Sequence, residues 1–323
     1  VFKIKDKQEC RKAIGVPSDA IVIGSVMRNQ KRKLIPELFV SFKKLLDKYK
    51  KSNNPLGEKL FLYLHTSFPD AGWDIPESMK ENGILNKVLF TQICRKCNHV
   101  SCGVFRGPQT VCPKCFTRNQ TFPNVTAGVT SEQLSTIYNT FDMYVQYAIC
   151  EGFGMPQVEA GACGIPIATV DYSAMCDVIN KLNAYPVEIK TYFKELETRA
   201  IRVYPNNDSL ISTIDKFINM PEPIQYKKRL NTRKLTEKHY NWDNIAKKWE
   251  KYLDSLNDSG YRADWSHHKR INKIANAEAN SNVDALISVC RDNLLDINAA
   301  SSSKMLSYLN DVYYVFQLNG LST

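Results

Sequence analysis

The chain has 323 residues, 43% hydrophobic and 24% charged, which is typical of a globular protein with one large or two modest domains. No apolar run approaches the length of a membrane span and no signal-peptide pattern opens the chain, so we expect a cytoplasmic protein. The net charge of +10 suits anionic ligands, an anionic membrane surface or nucleic acid. Because the basic residues are spread out, a Lys- and Asn-rich composition without such a partner explains the charge equally well.

The first 65 residues alternate between helical and strand patterns. A short helix is predicted over 7–14, ended by Gly15 and Pro17, and residues 21–26 have the pattern of a buried first strand. An amphipathic helix over 34–49 and a polar linker at 50–58 follow. Second and third strands are predicted at 59–65 and 87–91. This alternation predicts an α/β fold with a Rossmann-like parallel sheet.

Two Cys-x-x-Cys pairs follow the third strand. Fourteen residues separate Cys94 and Cys97 from Cys112 and Cys115, a spacing that can close a tetrahedral Zn²⁺ site. The sequence therefore predicts a zinc ribbon over about 93–122 with a structural metal, and it favours a reducing compartment for the ten cysteines. Two alternatives stay open, namely His99 or Cys102 as a substitute ligand and a redox role for either pair alone.

The second half of the chain continues the alternation of predicted helices and strands. A helix is predicted after Val129 with Ser131 as its N-cap, then a strand at 141–145. Residues 180–200 have no clear pattern, and they precede a strand at 201–204 and a helix at 208–218. A terminal helix is predicted within 240–252.

The stretch from Glu151 to Glu159 has the pattern of a strand end, a Gly-rich turn and the start of a helix. Gly152 and Gly154 loosen the backbone, and Pro156 suits a first helical turn. The first N–H groups of a helix have no internal partner, so this turn can bind an anion or a hydroxyl group. The carboxylates of Glu151 and Glu159 can accept hydrogen bonds from paired hydroxyls, which suggests a sugar and a ribose.

The string EGFGMPxxE, followed by AGACGIPIAT, resembles the donor-binding signature of retaining GT-B glycosyltransferases of the family-4 type. The resemblance covers roughly residues 10–256, apart from the ribbon. It implies the C-terminal half of a GT-B fold, which binds a nucleotide-diphosphate sugar. It also implies transfer with retention to an unknown acceptor, without a catalytic divalent metal.

The resemblance also implies roles for individual residues. Arg28 and Lys33, with four residues between them, match the pair whose cations neutralise the departing diphosphate, and Glu151 would position the sugar. Glu159 would hold the ribose hydroxyls. The expected catalytic residues are Arg28, Lys33 and Glu151. The expected donor-binding residues are Ser25, Val129, Leu134, Gly152, Phe153, Gly154, Met155 and Glu159.

The expected organisation is a nucleotide-sugar-binding domain at 1–256, the ribbon insertion at 93–122 within it, and a helical C-terminal extension at 257–323. That extension has two apolar stripes, which favour packing on the body or oligomerisation. No part of the sequence resembles the acceptor-binding half of such an enzyme. The chain is therefore expected to be a fragment, to need a separate polypeptide, or to have lost catalysis.

Two other functions remain as alternatives. One is a non-catalytic nucleotide-sugar sensor or scaffold. The other is nucleic-acid binding, favoured by the ribbon and the net charge and weakly supported by the pairs Phe105-Arg106 and Phe116-Thr-Arg118 in the ribbon. The basic charge is also compatible with a peripheral contact with a membrane.

Overall fold

The structure, a computed structural model, describes residues 1–256, and residues 1–251 form one compact unit. The predicted extension at 257–323 lies outside the described residues. The described helices are α1 (Lys7–Ile14), α2 (Ile35–Lys51), α3 (Leu56–Lys59), α4 (Ile75–Glu81), α5 (Ser131–Tyr138), α6 (Met155–Ala162), α7 (Ala174–Leu182), α8 (Asn207–Ile218), α9 (Glu222–His239) and α10 (Trp242–Asp254). No described helix is both long and apolar enough to cross a bilayer.

The described strands form a nine-stranded sheet and a separate hairpin. They are β1 (Ile21–Val26), β2 (Leu60–His65), β3 (Val88–Cys94), β4 (Val100–Val104), β5 (Gln109–Thr110), β6 (Gln120–Thr121), β7 (Met143–Gln146), β8 (Ile167–Val170), β9 (Tyr185–Val187), β10 (Ile189–Lys194) and β11 (Ile201–Pro205). The hairpin consists of β10 and β11, which pair antiparallel.

The central part of the sheet has the order β3-β2-β1-β7-β8-β9, with all neighbours parallel. This is the 3-2-1-4-5-6 order of a doubly wound Rossmann sheet. The strand order reverses between β1 and β7, and in such sheets ligands bind beyond the carboxyl ends of the strands at that point. The predicted Rossmann-like parallel sheet is therefore confirmed.

Two apolar clusters cover the two faces of the sheet. One is centred on α2, with Phe39 and Phe42 fully buried, and it includes Phe217 of α8. The other includes Tyr138 of α5 and Phe141. Gly24 of β1 is required by this packing, because a Cβ atom there would lie 2.1 Å from the Phe141 ring.

Capping interactions explain where the helices α1 and α5 begin and where α1 ends. Asp6 caps α1 by accepting from the Glu9 N–H at 2.8 Å, and Gly15 ends the helix at φ +83°. The predicted N-cap Ser131 is wrong by one residue. Thr130 is the cap of α5, because its hydroxyl accepts from Gln133 N and the Gln133 side chain accepts from Thr130 N, a capping box.

Three other sequence expectations need correction. The stretch 180–200, which was expected to be irregular, contains β9 and β10. These strands were missed because their buried and exposed residues do not alternate regularly. The 18-residue helix α9 was not predicted, because only Thr232 and Thr236 are buried on it. The linker at 50–58 runs into the short helix α3.

Candidate functional site

Two loops meet at the switch point of the sheet. The loop after β1 and the loop after β7 are joined by backbone hydrogen bonds, from Leu34 N to Tyr147 O at 3.1 Å and from Ile149 N to Arg32 O at 3.0 Å. Lys33 and Ala148 form an isolated antiparallel bridge between these bonds. The backbone therefore fixes the position of Lys33 relative to the stretch that carries Glu151.

Glu151 lies at the centre of a buried polar cluster. Its Oε1 accepts from Lys33 Nζ and from Gln146 Nε2, the latter at 2.6 Å, and its Oε2 accepts from Arg32 Nη1 at 2.9 Å. The side chains of Glu151 and Lys33 are 5% and 6% exposed. The carboxylate is thus held by two cations and an amide in a site with little water.

Lys33 is the inward lysine of the basic triplet 31–33, whereas Lys31 and Arg32 are exposed. Trp73 Nε1 donates to the Lys33 carbonyl at 2.7 Å and helps to fix the loop. Burial lowers the pKa of Lys33, and the neighbouring Glu151 carboxylate partly offsets that effect. Lys33 is therefore buried against Glu151 and does not line the cavity beside Arg28.

Arg28 lies in the same loop after β1 as Lys33. It donates to the two oxygens of Asp70 at 2.8 and 3.0 Å, while its side chain stays 48% exposed. The hydrogen bonds from Arg28 and from Ser67 hold the pKa of Asp70 well below its ordinary value, so Asp70 is ionised at neutral pH. Asp70 therefore orients a guanidinium group that solvent and ligands can reach.

A cavity of about 250 Å³ opens at the carboxyl ends of β1 and β2. Arg28 lines one side, Pro156 from the first turn of α6 lines another, and His65 and Asn124 complete the wall. Burial lowers the pKa of His65 to about 4, so its ring is neutral at pH 7. The cavity therefore combines an accessible cation with the positive end of a helix.

The turn before α6 follows the sequence prediction. Gly154 is its N-cap at φ +79°, and a Cβ atom there would lie 2.1 Å from Gln157 Nε2. Phe153 and Met155 are exposed at 52% and 63%, and Gly152 is also exposed. The side chains of this turn are therefore exposed to solvent, at a helix start whose first N–H groups have no partner within the helix.

Glu159 faces α5 from the second turn of α6. Tyr138 Oη donates to its carboxylate at 2.8 Å. Burial raises the pKa of Glu159, and the Tyr138 hydrogen bond opposes that rise. Neither Glu159 nor the partly buried Val129 and Leu134 lines the 250 Å³ cavity.

Ser25 lies inside the sheet. It is fully buried, and its hydroxyl donates to the Val145 carbonyl at 2.7 Å, which links β1 to β7. It does not line the cavity. The structure thus brings Lys33 and Glu151 together, places Arg28 beside the α6 turn, and leaves Ser25 in the sheet.

Polar residues of this region that were not predicted as site residues include Arg32, His65, Asp70, Asn124 and Gln146. His65 and Gln146 are the last residues of β2 and β7. Their place at the carboxyl ends of parallel strands is a signal that sequence reasoning could have used. Asp70 and Asn124 lie in loops and have no such signal.

The four predicted cysteines form one cluster. The Sγ atoms of Cys94, Cys97, Cys112 and Cys115 all lie within 4.8 Å of one another. The Sγ atoms of Cys94 and Cys115 are 3.5 Å apart, and those of Cys97 and Cys112 are 3.7 Å apart. A zinc ion with Zn–S bonds of about 2.3 Å has tetrahedral S–S edges of about 3.8 Å, so the cluster fits such an ion.

The segment around the cysteines is built into the central sheet. Both β4 and β6 pair antiparallel with β3, and Cys94 is the last residue of β3. His99 and Cys102, the alternative ligands, lie outside the cluster of four. Burial raises the pKa of Cys102 to about 12, so its thiol stays protonated at neutral pH.

Comparison with known proteins gives a partial family match. Residues 118–239 match the family model described as "Glycosyl transferases group 1". The match includes Glu151, the α6 turn and Glu159, and it excludes Arg28 and Lys33. No curated protein sequence matches the chain.

Several solved structures share the fold. They include sucrose-phosphate synthase from Thermosynechococcus elongatus, with 16% identity, a TM-score of 0.52, and coverage of 78% of this chain and 49% of that one. HepE from Anabaena, in complex with UDP and glucose, has 14% identity, a TM-score of 0.53, and coverage of 79% and 54%. A glycosyltransferase from Rickettsia africae has 15% identity, a TM-score of 0.51, and coverage of 78% and 52%. The chain spans about half the length of these structures.

Proposed function

We propose that residues 1–256 are the donor-binding half of a glycosyltransferase that takes a sugar from a nucleotide-diphosphate sugar. The observation that carries this proposal is the crevice at the switch point of the sheet. There Arg28 and Pro156 of the first turn of α6 line one cavity, and the buried Lys33–Glu151 pair joins the two loops that follow β1 and β7. The family match over residues 118–239 supports the same function.

The diphosphate is assigned to the crevice between Arg28 and the α6 turn. Arg28 offers an exposed guanidinium group, and the N–H groups near Phe153 and Met155 offer uncharged donors. When the bond to the sugar breaks, negative charge grows on the departing diphosphate, and fixed cations stabilise that charge. In this scheme the basic residues take the place of a divalent metal ion, and transfer proceeds with retention.

Glu151 and Glu159 are assigned to the two sugar rings. Glu151 positions the transferred sugar from within its cluster with Lys33, so a sugar hydroxyl joins a carboxylate that is already oriented. Glu159 accepts from the ribose hydroxyls beside Tyr138. Val129 and Leu134 are assigned to the base and ribose. Ser25 stays a predicted donor-binding residue, which would act through its link to β7.

We assign a structural zinc ion to Cys94, Cys97, Cys112 and Cys115. A closed set of four thiolates leaves no open position for substrate, so the ion would hold the ribbon together. None of the nine cysteines among the described residues is in a disulfide, and we propose a reducing, cytoplasmic location.

The acceptor is left unassigned. The solved structures of similar fold are about twice as long as the matched region, so we propose that a second domain, in the same or another polypeptide, completes the cleft. The extension at 257–323 is a candidate for contacts with such a partner or with a second copy.

Calorimetric titration of the zinc-loaded chain with UDP, GDP and ADP, and then with their sugar conjugates, tests the donor site. UDP comes first because the HepE structure contains it. We expect saturable binding of one nucleotide, weakened about tenfold or more by Arg28→Ala through the loss of a charge-assisted contact. Glu159→Ala should also weaken binding.

Matched controls are available outside the cavity lining. Lys48 of α2 pairs with Asp215 of α8 at 2.7 Å and stays 53% exposed, much as Arg28 pairs with Asp70, and Glu197 is exposed. Lys48→Ala and Glu197→Ala should leave binding unchanged. A folded chain that binds none of the nucleotides, or one that the controls weaken as much as Arg28→Ala does, would refute the assignment.

A further inference from the structure

A second cavity, larger than the first, lies between the end of α1 and the ribbon strands β4 to β6. Its volume is about 810 Å³, within the usual range for ligand sites, and we call it the ribbon cavity. No residue lines both this cavity and the one beside Arg28. The proposed nucleotide site therefore does not account for it.

Three cations converge on the rim of the ribbon cavity. Lys12 comes from the last turn of α1, Arg106 follows β4, and Arg118 precedes β6. In residues 1–256 none of the three forms an ion pair, and no Asp or Glu side chain lines the cavity. Unpaired charges of one sign around a concave surface concentrate an oppositely charged ligand.

The floor of the cavity is polar and well ordered by hydrogen bonds. Gln120 Nε2 donates to Ser101 Oγ at 2.6 Å, and the Thr110 hydroxyl lies 3.1 Å from Gln120 Oε1 and 3.4 Å from Gln92 Oε1. Gln92, Ser101 and Gln120 are all at least nine-tenths buried. The Ser101 hydroxyl accepts in its described bond, which leaves its O–H available to a ligand.

Stacking surfaces are absent from the described lining. No Phe, Tyr or Trp side chain lines the ribbon cavity. Proteins that bind single-stranded nucleic acid stack bases on aromatic side chains, so this lining disfavours an oligonucleotide. Amides, hydroxyls and guanidinium groups instead match a molecule rich in hydroxyls that carries phosphate.

We propose that the ribbon cavity binds a phosphorylated carbohydrate, with the phosphate between Arg106, Arg118 and Lys12 and the hydroxyls on the Gln92–Ser101–Gln120 floor. The site uses α1 and the ribbon together. This inference does not depend on nucleotide binding beside Arg28.

The test uses the full zinc-loaded chain and measures binding by calorimetry with inorganic phosphate, glucose 6-phosphate and a phosphorylated oligosaccharide. Unphosphorylated oligosaccharide and a single-stranded oligonucleotide are the comparison ligands. We expect the phosphorylated sugars to bind more tightly than inorganic phosphate, because only they reach the polar floor. Arg106→Gln and Arg118→Gln should each weaken that binding about tenfold.

Lys96→Gln is the matched control, since Lys96 is an exposed cation of the same ribbon that does not line the cavity. Zinc content and thermal unfolding of each variant verify that the ribbon remains folded. The proposal is wrong if Lys96→Gln weakens binding as much as the arginine substitutions do, or if no phosphorylated sugar binds saturably. It is also wrong if the oligonucleotide binds more tightly through the same arginines. Arg28→Ala should leave this binding unchanged, which separates it from the nucleotide site.

Discussion

At the scale of single residues, Glu159 couples the proposed ribose site to stability. Burial raises its pKa above the ordinary value of 4.5, so the folded chain holds a proton on Glu159 more tightly than the unfolded chain does. The contribution of Glu159 to the free energy of unfolding is therefore fully present at pH values below about 4.5 and decreases as the pH rises through the folded pKa.

Glu159→Gln removes this titration. We expect the free energy of unfolding of the variant, relative to the native chain, to rise with pH from about 4.5 upwards and then to level off. Urea unfolding at pH 3.5 to 7.5 measures the difference, and Glu197→Gln at an exposed position is the control. A difference that is flat with pH, or one that falls, would contradict the partial burial of the carboxylate.

The basic triplet shows what the sequence can specify at this scale. The family resemblance implied that Arg28 and Lys33 are phosphate ligands, but three adjacent cations at 31–33 do not reveal which of them is buried. The bridge between Lys33 and Ala148 decides that question, and it is a contact between residues 115 positions apart. The salt bridge between Lys33 and Glu151 was missed for the same reason.

At the scale of elements, the turn that begins α6 depends on one glycine more than on the other. Gly154 has φ +79°, and a Cβ atom there would meet the side-chain amide of Gln157, whereas nothing lies within 4 Å of a Cβ atom at Gly152. Left-handed backbone costs about 1–2 kcal/mol for a residue with a side chain. We expect Gly154→Ala to lower the free energy of unfolding by about 2 kcal/mol or more.

Gly152→Ala is the matched control for this prediction, and it should change the free energy of unfolding by less than about 0.5 kcal/mol. Urea denaturation of both variants gives the comparison. The account of the turn is wrong if the two substitutions cost the same. Nucleotide titration of Gly154→Ala should also show weaker binding, because the N–H groups of the turn would shift.

Elements with strong patterns were predictable, and elements shaped by distant contacts were not. The strands β1 to β3 were predicted to within a few residues from their apolar runs, and α2 was predicted as closely from its amphipathic pattern. The strand β11 was predicted at 201–204 and has alternating buried residues, whereas β10, with most of its residues exposed, was not predicted. The helix α9 buries only Thr232 and Thr236, so no apolar stripe in its sequence indicates its contact with the body.

At the scale of the whole molecule, the cysteine cluster is tied to the sheet rather than to a detached ribbon. Since β3 carries Cys94 and pairs with β2, β4 and β6, loss of the metal should disturb one edge of the main sheet. The two Cys-x-x-Cys pairs predicted the cluster. The extension of the sheet through β4 to β6 was not predicted, because the strands β5 and β6 have two residues each.

We expect about one zinc ion per chain, and its removal by a chelator should lower the melting temperature. A metal at a thousandfold excess over its dissociation constant contributes about 4 kcal/mol, or roughly 10 °C for a unit of this size. Cys112→Ser should lose both the zinc and the chelator effect, whereas Cys102→Ser should keep them. Metal analysis combined with calorimetry provides the measurement. A melting temperature that does not change when the chelator is added would contradict a structural role for the zinc ion.

The most direct test of the proposed donor site is a crystal structure of the zinc-loaded chain with the nucleoside diphosphate that binds most tightly in solution. The account predicts the diphosphate between Arg28 and the N–H groups of the α6 turn, with the ribose hydroxyls on Glu159. A nucleotide bound in the ribbon cavity, or bound away from Arg28 and α6, would contradict it.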